Sequence, residues 1–196
     1  MLTSRHSFLT RFLLLPAILI LSLSAVNFAQ AQRGPAPRGT ASFEQWLSQE
    51  VNHQLLLLPR YSVFDYVQYK INDSEVTILG QVVSDVMKRD AENSIKRIEG
   101  VTKVTNNIEI LPASQMDDRI RRATFGVLSG DPALEMYRLG LVHSIHIIVK
   151  NGHVTLEGTV LNEGHKNLAG VRARAISGVF SVTNNLRIET SKTEQS

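Results

Sequence analysis

EVTILGQVVSDVMKRDAENSIKRIEGVTKVTNNIEI, residues 75–110, returns at residues 153–188 as HVTLEGTVLNEGHKNLAGVRARAISGVFSVTNNLRI, without a gap, at an offset of 78. Fourteen of the 36 positions are identical, among them Gly80/Gly158, Gly100/Gly178, Asn106/Asn184 and Asn107/Asn185. That density of identities reads as an internal duplication. A period of 78 is longer than that of most solenoid repeats, so two copies predict a tandem of small domains rather than an array.

Working outward, each copy has the same grammar. In the middle of the repeat a helix runs from Ser84 to about Glu99, with Met87, Ala91, Ile95 and Ile98 on one face. Its twin runs from Asn162 to Ser177, with His165, Ala169, Ala173 and Ile176. Gly100 and Gly178 sit just past these helices, where a left-handed residue suits glycine. A last strand places Val104, Ile108 and Ile110, or Val182, Leu186 and Ile188, on one face. Ahead of the helix lies a hairpin. In the second copy Ile145, Ile147 and Val149 alternate with His146, Ile148 and Lys150, and Asn151-Gly152 is a strong two-residue turn signal. In the first, Val67, Tyr69 and Ile71 face Val76 and Ile78, with Asp73-Ser74 a poorer turn.

A leading helix precedes each hairpin. Ser42-Phe43-Glu44-Gln45 fits a capping box, followed by Phe43, Leu47, Val51, Leu55 and Leu58 at helical spacing and closed by Pro59. In the second copy Met116, Ile120, Ala123 and Val127 take that part, ending near Gly130-Asp131-Pro132. The expected class is therefore α+β: two tandem αββαβ modules, each a three-stranded sheet with two helices on one face and the other face solvated. The expected divisions are a signal segment at 1–31, a linker at 32–41, modules at 42–112 and 114–190, and a disordered tail at 191–196. A module of about 70 residues has a small core, which favours packing of one copy on the other.

The first 31 residues carry the marks of export. Arg5 and Arg11 supply a positive start, Phe12 to Val26 is almost continuously apolar, and Ala29-Gln30-Ala31 matches a small-x-small cleavage site. That run is short for a spanning helix, although an uncleaved anchor is the alternative. The expected location is the periplasm, after cleavage behind Ala31. Cleavage removes two of the 21 basic residues and none of the 18 acidic ones, which leaves 19 against 18. So small an excess argues against a nucleic-acid partner, whose phosphates call for a strong basic surplus. Cys is absent, which excludes disulfides, thiolate metal sites, a Cys nucleophile and a lipid anchor on an N-terminal Cys.

Val154-Thr155-Leu156-Glu157-Gly158-Thr159-Val160 and Gly178-Val179-Phe180-Ser181-Val182-Thr183-Asn184-Asn185-Leu186 resemble the paired motifs of the BON family, V-T-L-x-G-x-V and G-V-x-x-V-x-N-x-L. Val76 to Val82 and Gly100 to Ile108 repeat them. The resemblance spans about 45–110 and 118–189. It implies a periplasmic or surface module that binds phospholipid or other envelope components and is linked to osmotic or envelope stress. It brings no catalytic residues. It makes the shared glycines Gly80, Gly100, Gly158 and Gly178, and the repeated Asn106 and Asn184, parts of the structural motif.

No Gly-rich phosphate loop, H-E-x-x-H or G-x-S-x-G occurs. The best acid–base candidate is His146 opposite Glu157, read here as an exposed cross-strand pair. No catalytic, cofactor or metal site is expected. His143, His146, His153 and His165 are too dispersed for one ion: along a strand, His146 and His153 lie roughly 10 Å apart. His165 sits at the core-facing position that Met87 holds in the first copy.

The informative signal is asymmetry. Leu168, Val171 and Ala175 extend the apolar arc of the second copy's central helix, where the first copy has Asp90, Asn93 and Arg97. Lys166 and Arg174 border that flank, Arg172 is near it, and Arg119, Arg121 and Arg122 cluster at the start of the preceding helix. Apolar residues rimmed by basic ones suit an anionic phospholipid surface with peripheral contact. They equally suit an envelope protein, in an interaction or chaperone-like role without lipid, or the sister module. Leu55 to Leu58 is a further surface that either meets the other module or is covered by the loop from Arg60 to Asp65.

Overall fold

The computed structural model describes residues 38–138 and 144–189. The expected signal segment at 1–31, the expected linker up to Pro37, residues 139–143 with His143, and residues 190–196 with the whole of the expected tail lie outside them. Both modules belong to one compact unit, Gly34–Ser196.

The first module runs α1 (Ala41–Leu56), β1 (Tyr66–Asn72), β2 (Glu75–Val82), α2 (Asp85–Lys96) and β3 (Lys103–Ile110). β1 and β2 form an antiparallel hairpin with Asn72 opposite Glu75. β3 returns parallel to β2, with Val76 beside Val104 and Gly80 beside Ile108. The sheet order is β1-β2-β3. Phe43, Leu47, Val51 and Leu55 of α1 and Met87, Ala91 and Ile95 of α2 close over Val76, Ile78 and Ile108, as their spacing predicts. The helix starts one turn fragment earlier than the capping box implied: the cap is Thr40, whose hydroxyl accepts from the Phe43 N–H at 3.2 Å.

The second module repeats the order as α3 (Gln115–Ser129), β4 (Ile145–Lys150), β5 (His153–Val160), α4 (Glu163–Arg174) and a third strand broken into β6 (Ser181–Asn184) and β7 (Arg187–Ile188). A short 3-10 turn, Glu135–Arg138, precedes β4. Asn151 and Gly152 both take positive φ, 53° and 78°, as a tight hairpin turn requires. In the first module only Asp73 of the turn does so.

The offset of 78 holds bond by bond. The Asn106 side-chain amide donates to the Lys88 carbonyl at 3.0 Å, and Asn184 donates to that of Lys166 at 2.7 Å. Each asparagine oxygen then accepts from the N–H two residues on, Ile108 or Leu186. The asparagines thus lace the central helix to the third strand. Gly80 and Gly158 take φ of 125° and 115°, and a Cβ on either would overlap the carbonyl oxygen of Tyr66 or Ser144 on the adjacent segment. That close approach, as well as the dihedral, demands glycine. Gly100 and Gly178, at φ of 88° and 90°, lie four residues past the last residue of α2 and α4.

One helical face is rotated from expectation. α3 buries Asp117, Ile120, Arg121, Thr124 and Leu128, while Met116 and Val127 are exposed. The reason is polar. The Asp117 carboxylate accepts from the N–H groups of Asn151 and Gly152 at 2.9 and 2.8 Å, and Arg121 donates to the Val149 carbonyl at 2.7 Å. Both side chains fasten the helix to the end of the β4–β5 hairpin.

Candidate interaction surfaces

The two modules are joined by a crossing contact. The segment between α1 and β1 leaves its own module. Val63 is buried in the second module's core beside Leu128, Leu134, Ile145 and Ile147, and Phe64 meets the edge of Phe125 at 6.3 Å between centroids. The Val63 carbonyl accepts from the Ile147 N–H at 2.7 Å, which satisfies one N–H on the outer edge of β4. Asp65, also buried, holds the segment in shape by accepting from the Ser62 N–H and hydroxyl and from the Val83 N–H. The loop from Arg60 to Asp65 therefore covers the other module's strand edge as well as following its own helix.

The outer face of β4 lies across one end of the first sheet. Tyr66, Gln81 and Glu109 are register neighbours across that sheet. His146 sits 5.3 Å from the Tyr66 ring and 5.4 Å from Tyr61, and Lys150 pairs with Glu109 at 2.5 Å. Ile148, between them, is 2% exposed. Burial pushes the Tyr61 hydroxyl up to about 12. The Lys150 hydrogen bond, then that of Gln81, holds Glu109 below the usual carboxylate range.

This corrects the reading of His146. It does stand opposite Glu157, as the turn dictates. It is 6% exposed rather than solvated, because the first module covers it, and Glu157 accepts from Asn185. The solvated outer face expected of each sheet is lost along β4.

The flank of α4 is only partly open. Leu168 is half-buried against its own core and Lys166 is half-buried. Val171 is 60% exposed, with Arg174 and Ala175 exposed on the same side at spacings of three and four residues. Arg172 is tied down: its Nε donates to Asp131 at 2.8 Å. The N–H of Ala133, then Arg172, holds the Asp131 carboxyl below its ordinary range. Of the three arginines on α3, Arg119 and Arg122 are exposed, but Arg121 is 4% exposed and bonds Asp118 and Val149, so it leaves the surface.

Phe180 and Met116 are exposed apolar residues that the sequence reading did not place on a surface. Phe180 is 71% exposed, more than any other large apolar residue described. Its ring lies over the hairpin turn, where a Cβ on Gly152 would meet Cδ2 at 2.6 Å, and beside His153 at 5.9 Å. Met116 reaches Gly178 at the same end of the module. The aligned position of Phe180 in the first module is Thr102, and both residues make the same backbone bond, to Gly152 and Ser74 respectively. The only sequence cue was that Thr102-to-Phe180 exchange.

His165 accepts or shares a proton with the Tyr137 hydroxyl at 2.6 Å, which also receives the Leu161 N–H. Among the described residues, no three His, Asp or Glu side chains gather as metal ligands, and no helix is long and apolar enough to cross a membrane.

Osmotically-inducible protein Y of Escherichia coli (strain K12) is 28% identical over 123 residues, covering 62% of this chain and 61% of that protein. The chain thus spans less than two thirds of that relative's length. Two structures of CdsD, a structural protein of the Type III secretion system of Chlamydia trachomatis, align at 13% and 12% identity. They cover 74% of this chain in each case and 98% and 93% of theirs, with TM-scores of 0.27 and 0.28. The BON domain model matches residues 44–112 and 132–190, more than half of the chain. With the motif occurring twice in sequence and the bonds made by its asparagines occurring twice in the fold, the chain belongs to the BON domain family.

Proposed function

We propose that the chain is an exported, non-catalytic protein of the periplasm that docks on anionic phospholipid through its second module and contributes to osmotic or envelope stress tolerance. Three observations support the reading: the BON membership, the likeness to a protein named as osmotically inducible, and the leader at residues 1–31. The observation that carries the docking surface is the exposure of Phe180 and Val171, 71% and 60%, in a module that also exposes Arg119, Arg122 and Arg174. In the first module the aligned positions of Phe180 and Val171 are Thr102 and Asn93.

The energies suit reversible attachment. Burying a Phe side chain contributes about 1.5–3 kcal/mol, and each basic residue near an anionic surface about 1 kcal/mol. Phe180 with three arginines and Val171 therefore gives a peripheral, salt-sensitive contact rather than insertion.

The test is co-sedimentation of the purified chain with vesicles of phosphatidylcholine, with and without phosphatidylglycerol. Binding should require the anionic lipid, fall with salt, and drop at least tenfold in Phe180→Asp and in Val171→Asp. Binding indifferent to lipid charge and to both substitutions would overturn the reading. Loss of an envelope protein partner in Val171→Asp, without any vesicle binding by the parent chain, would instead support a protein-docking role.

A further inference from the structure

The duplication offers an internal comparison of two strand edges. β4 and β1 are equivalent first strands, each at the edge of its sheet. Along β4 the inward residues Ile145, Ile147 and Val149 are all buried, whereas their twins Val67, Tyr69 and Ile71 are only half-buried. The difference is what lies beyond the edge. At β4 the Val63 segment accepts the Ile147 N–H. The residue 78 positions earlier is Tyr69. The Val67 N–H points away from β2, toward the Tyr61 hydroxyl at 3.3 Å. By the alternation of an antiparallel strand, the N–H groups of Tyr69 and Ile71 face the same way.

That edge opens into a groove of about 550 Å³, within the range of ligand clefts. Residues of both strand faces line it, which places it at the edge itself: Val67 and Tyr69 with Tyr66 and Gln68. Asn52 and Leu56 of α1 form one wall, and Thr159 and Arg187 of the second module lie on the other side. The groove is continuous with the junction between modules, since Tyr61, Tyr66 and His146 also line it.

We propose that the β1 edge receives an extended peptide segment of a partner protein by strand addition. Main-chain bonds to Tyr69 and Ile71 give the affinity. An apolar side chain covers Leu56 and Val67, and Arg187 favours a neutral or acidic segment over a basic one. A recess walled on both sides accepts a single extended chain, whereas the edge of a second folded copy would bring its own helices against α1. Lipid acyl chains cannot satisfy the two N–H groups. This site is separate from the proposed lipid surface and does not depend on it.

The test is selection of a displayed library of random octapeptides on the purified chain, followed by amide hydrogen exchange with the strongest binder. Enriched peptides should alternate apolar residues and slow exchange at Tyr69 and Ile71 at least tenfold. Asn52→Trp, an exposed helix position that fills the groove, should weaken binding at least tenfold while vesicle binding is unchanged. No enriched peptide, binding without protection of those amides, or binding indifferent to Asn52→Trp would each overturn the proposal. Protection that grows with protein concentration in the absence of peptide would assign the edge to a second copy and overturn the peptide occupant.

Discussion

The N–H of Ile147 donates to the carbonyl oxygen of Val63 at 2.7 Å, and that bond ties the outer edge of β4 to the loop between α1 and β1 of the first module. Strand edges with unpaired N–H groups invite association. Here one N–H on the edge of β4 is satisfied by the other module. The same segment supplies Val63 to the second core. The modules therefore share apolar surface that neither would bury alone.

Truncating that side chain should loosen both modules together. Val63→Ala is expected to cost about 1–3 kcal/mol as a core deletion, and Val63→Asp more, because a carboxylate would be buried without a partner. Urea unfolding should be one transition in the parent chain and separate into two in Val63→Asp. A single unshifted transition in Val63→Asp would show that the junction contributes nothing.

Asp117 should matter more than a surface acid at a helix start. It accepts the N–H groups of both turn residues, Asn151 and Gly152. Asp117→Ala leaves both without that acceptor, at about 1–3 kcal/mol for each one that stays buried. The urea midpoint should fall accordingly, and exchange of the Gly152 amide should quicken.

Replacing either strand glycine should be severe. Gly80→Ala and Gly158→Ala each drive a methyl into a neighbouring carbonyl oxygen and force an unfavourable positive φ. Losses of about 2–4 kcal/mol are expected, at or beyond the upper end of the typical range for single substitutions. Thermal melting of the two variants should show similar drops, because the two sites are twins.

The Glu109–Lys150 pair gives the junction a modest pH dependence. Lys150 holds the Glu109 carboxyl below its ordinary value of 4.5, so the folded chain takes up that proton less readily than the unfolded one. The contribution is full above that value and disappears as pH falls through the lower folded value. Both side chains are more than 40% exposed, which limits it to under about 1 kcal/mol. Glu109→Gln should lower the urea midpoint slightly at pH 7, and by progressively less as pH falls below 4.5.

What could be read from the sequence was what local periodicity encodes. Phe43, Leu47, Val51 and Leu55 declare their helix face, and Asn151-Gly152 declares its turn. α3 misled because its buried side carries Asp117, Arg121 and Thr124, the first two recruited to the hairpin end. His146 misled because its cover comes from Tyr61 and Tyr66, about 80 residues away, and periodicity within one strand cannot report a contact made by another module. On the candidate surface, Val171 was visible as an excess of apolar arc over its twin. Phe180 was hidden inside the family motif, where an apolar residue beside Val179 and Val182 passes for core.

The docking account is tested most directly by moving the single tryptophan to the tip. Trp46 packs beside Phe43 in the first module, so Trp46→Phe with Phe180→Trp places the one indole at the proposed lipid contact. On vesicles containing phosphatidylglycerol its emission should shift to the blue and be quenched by brominated acyl chains, while the parent Trp46 stays unquenched. Unchanged emission at position 180, or quenching of Trp46 instead, would contradict attachment through the second module.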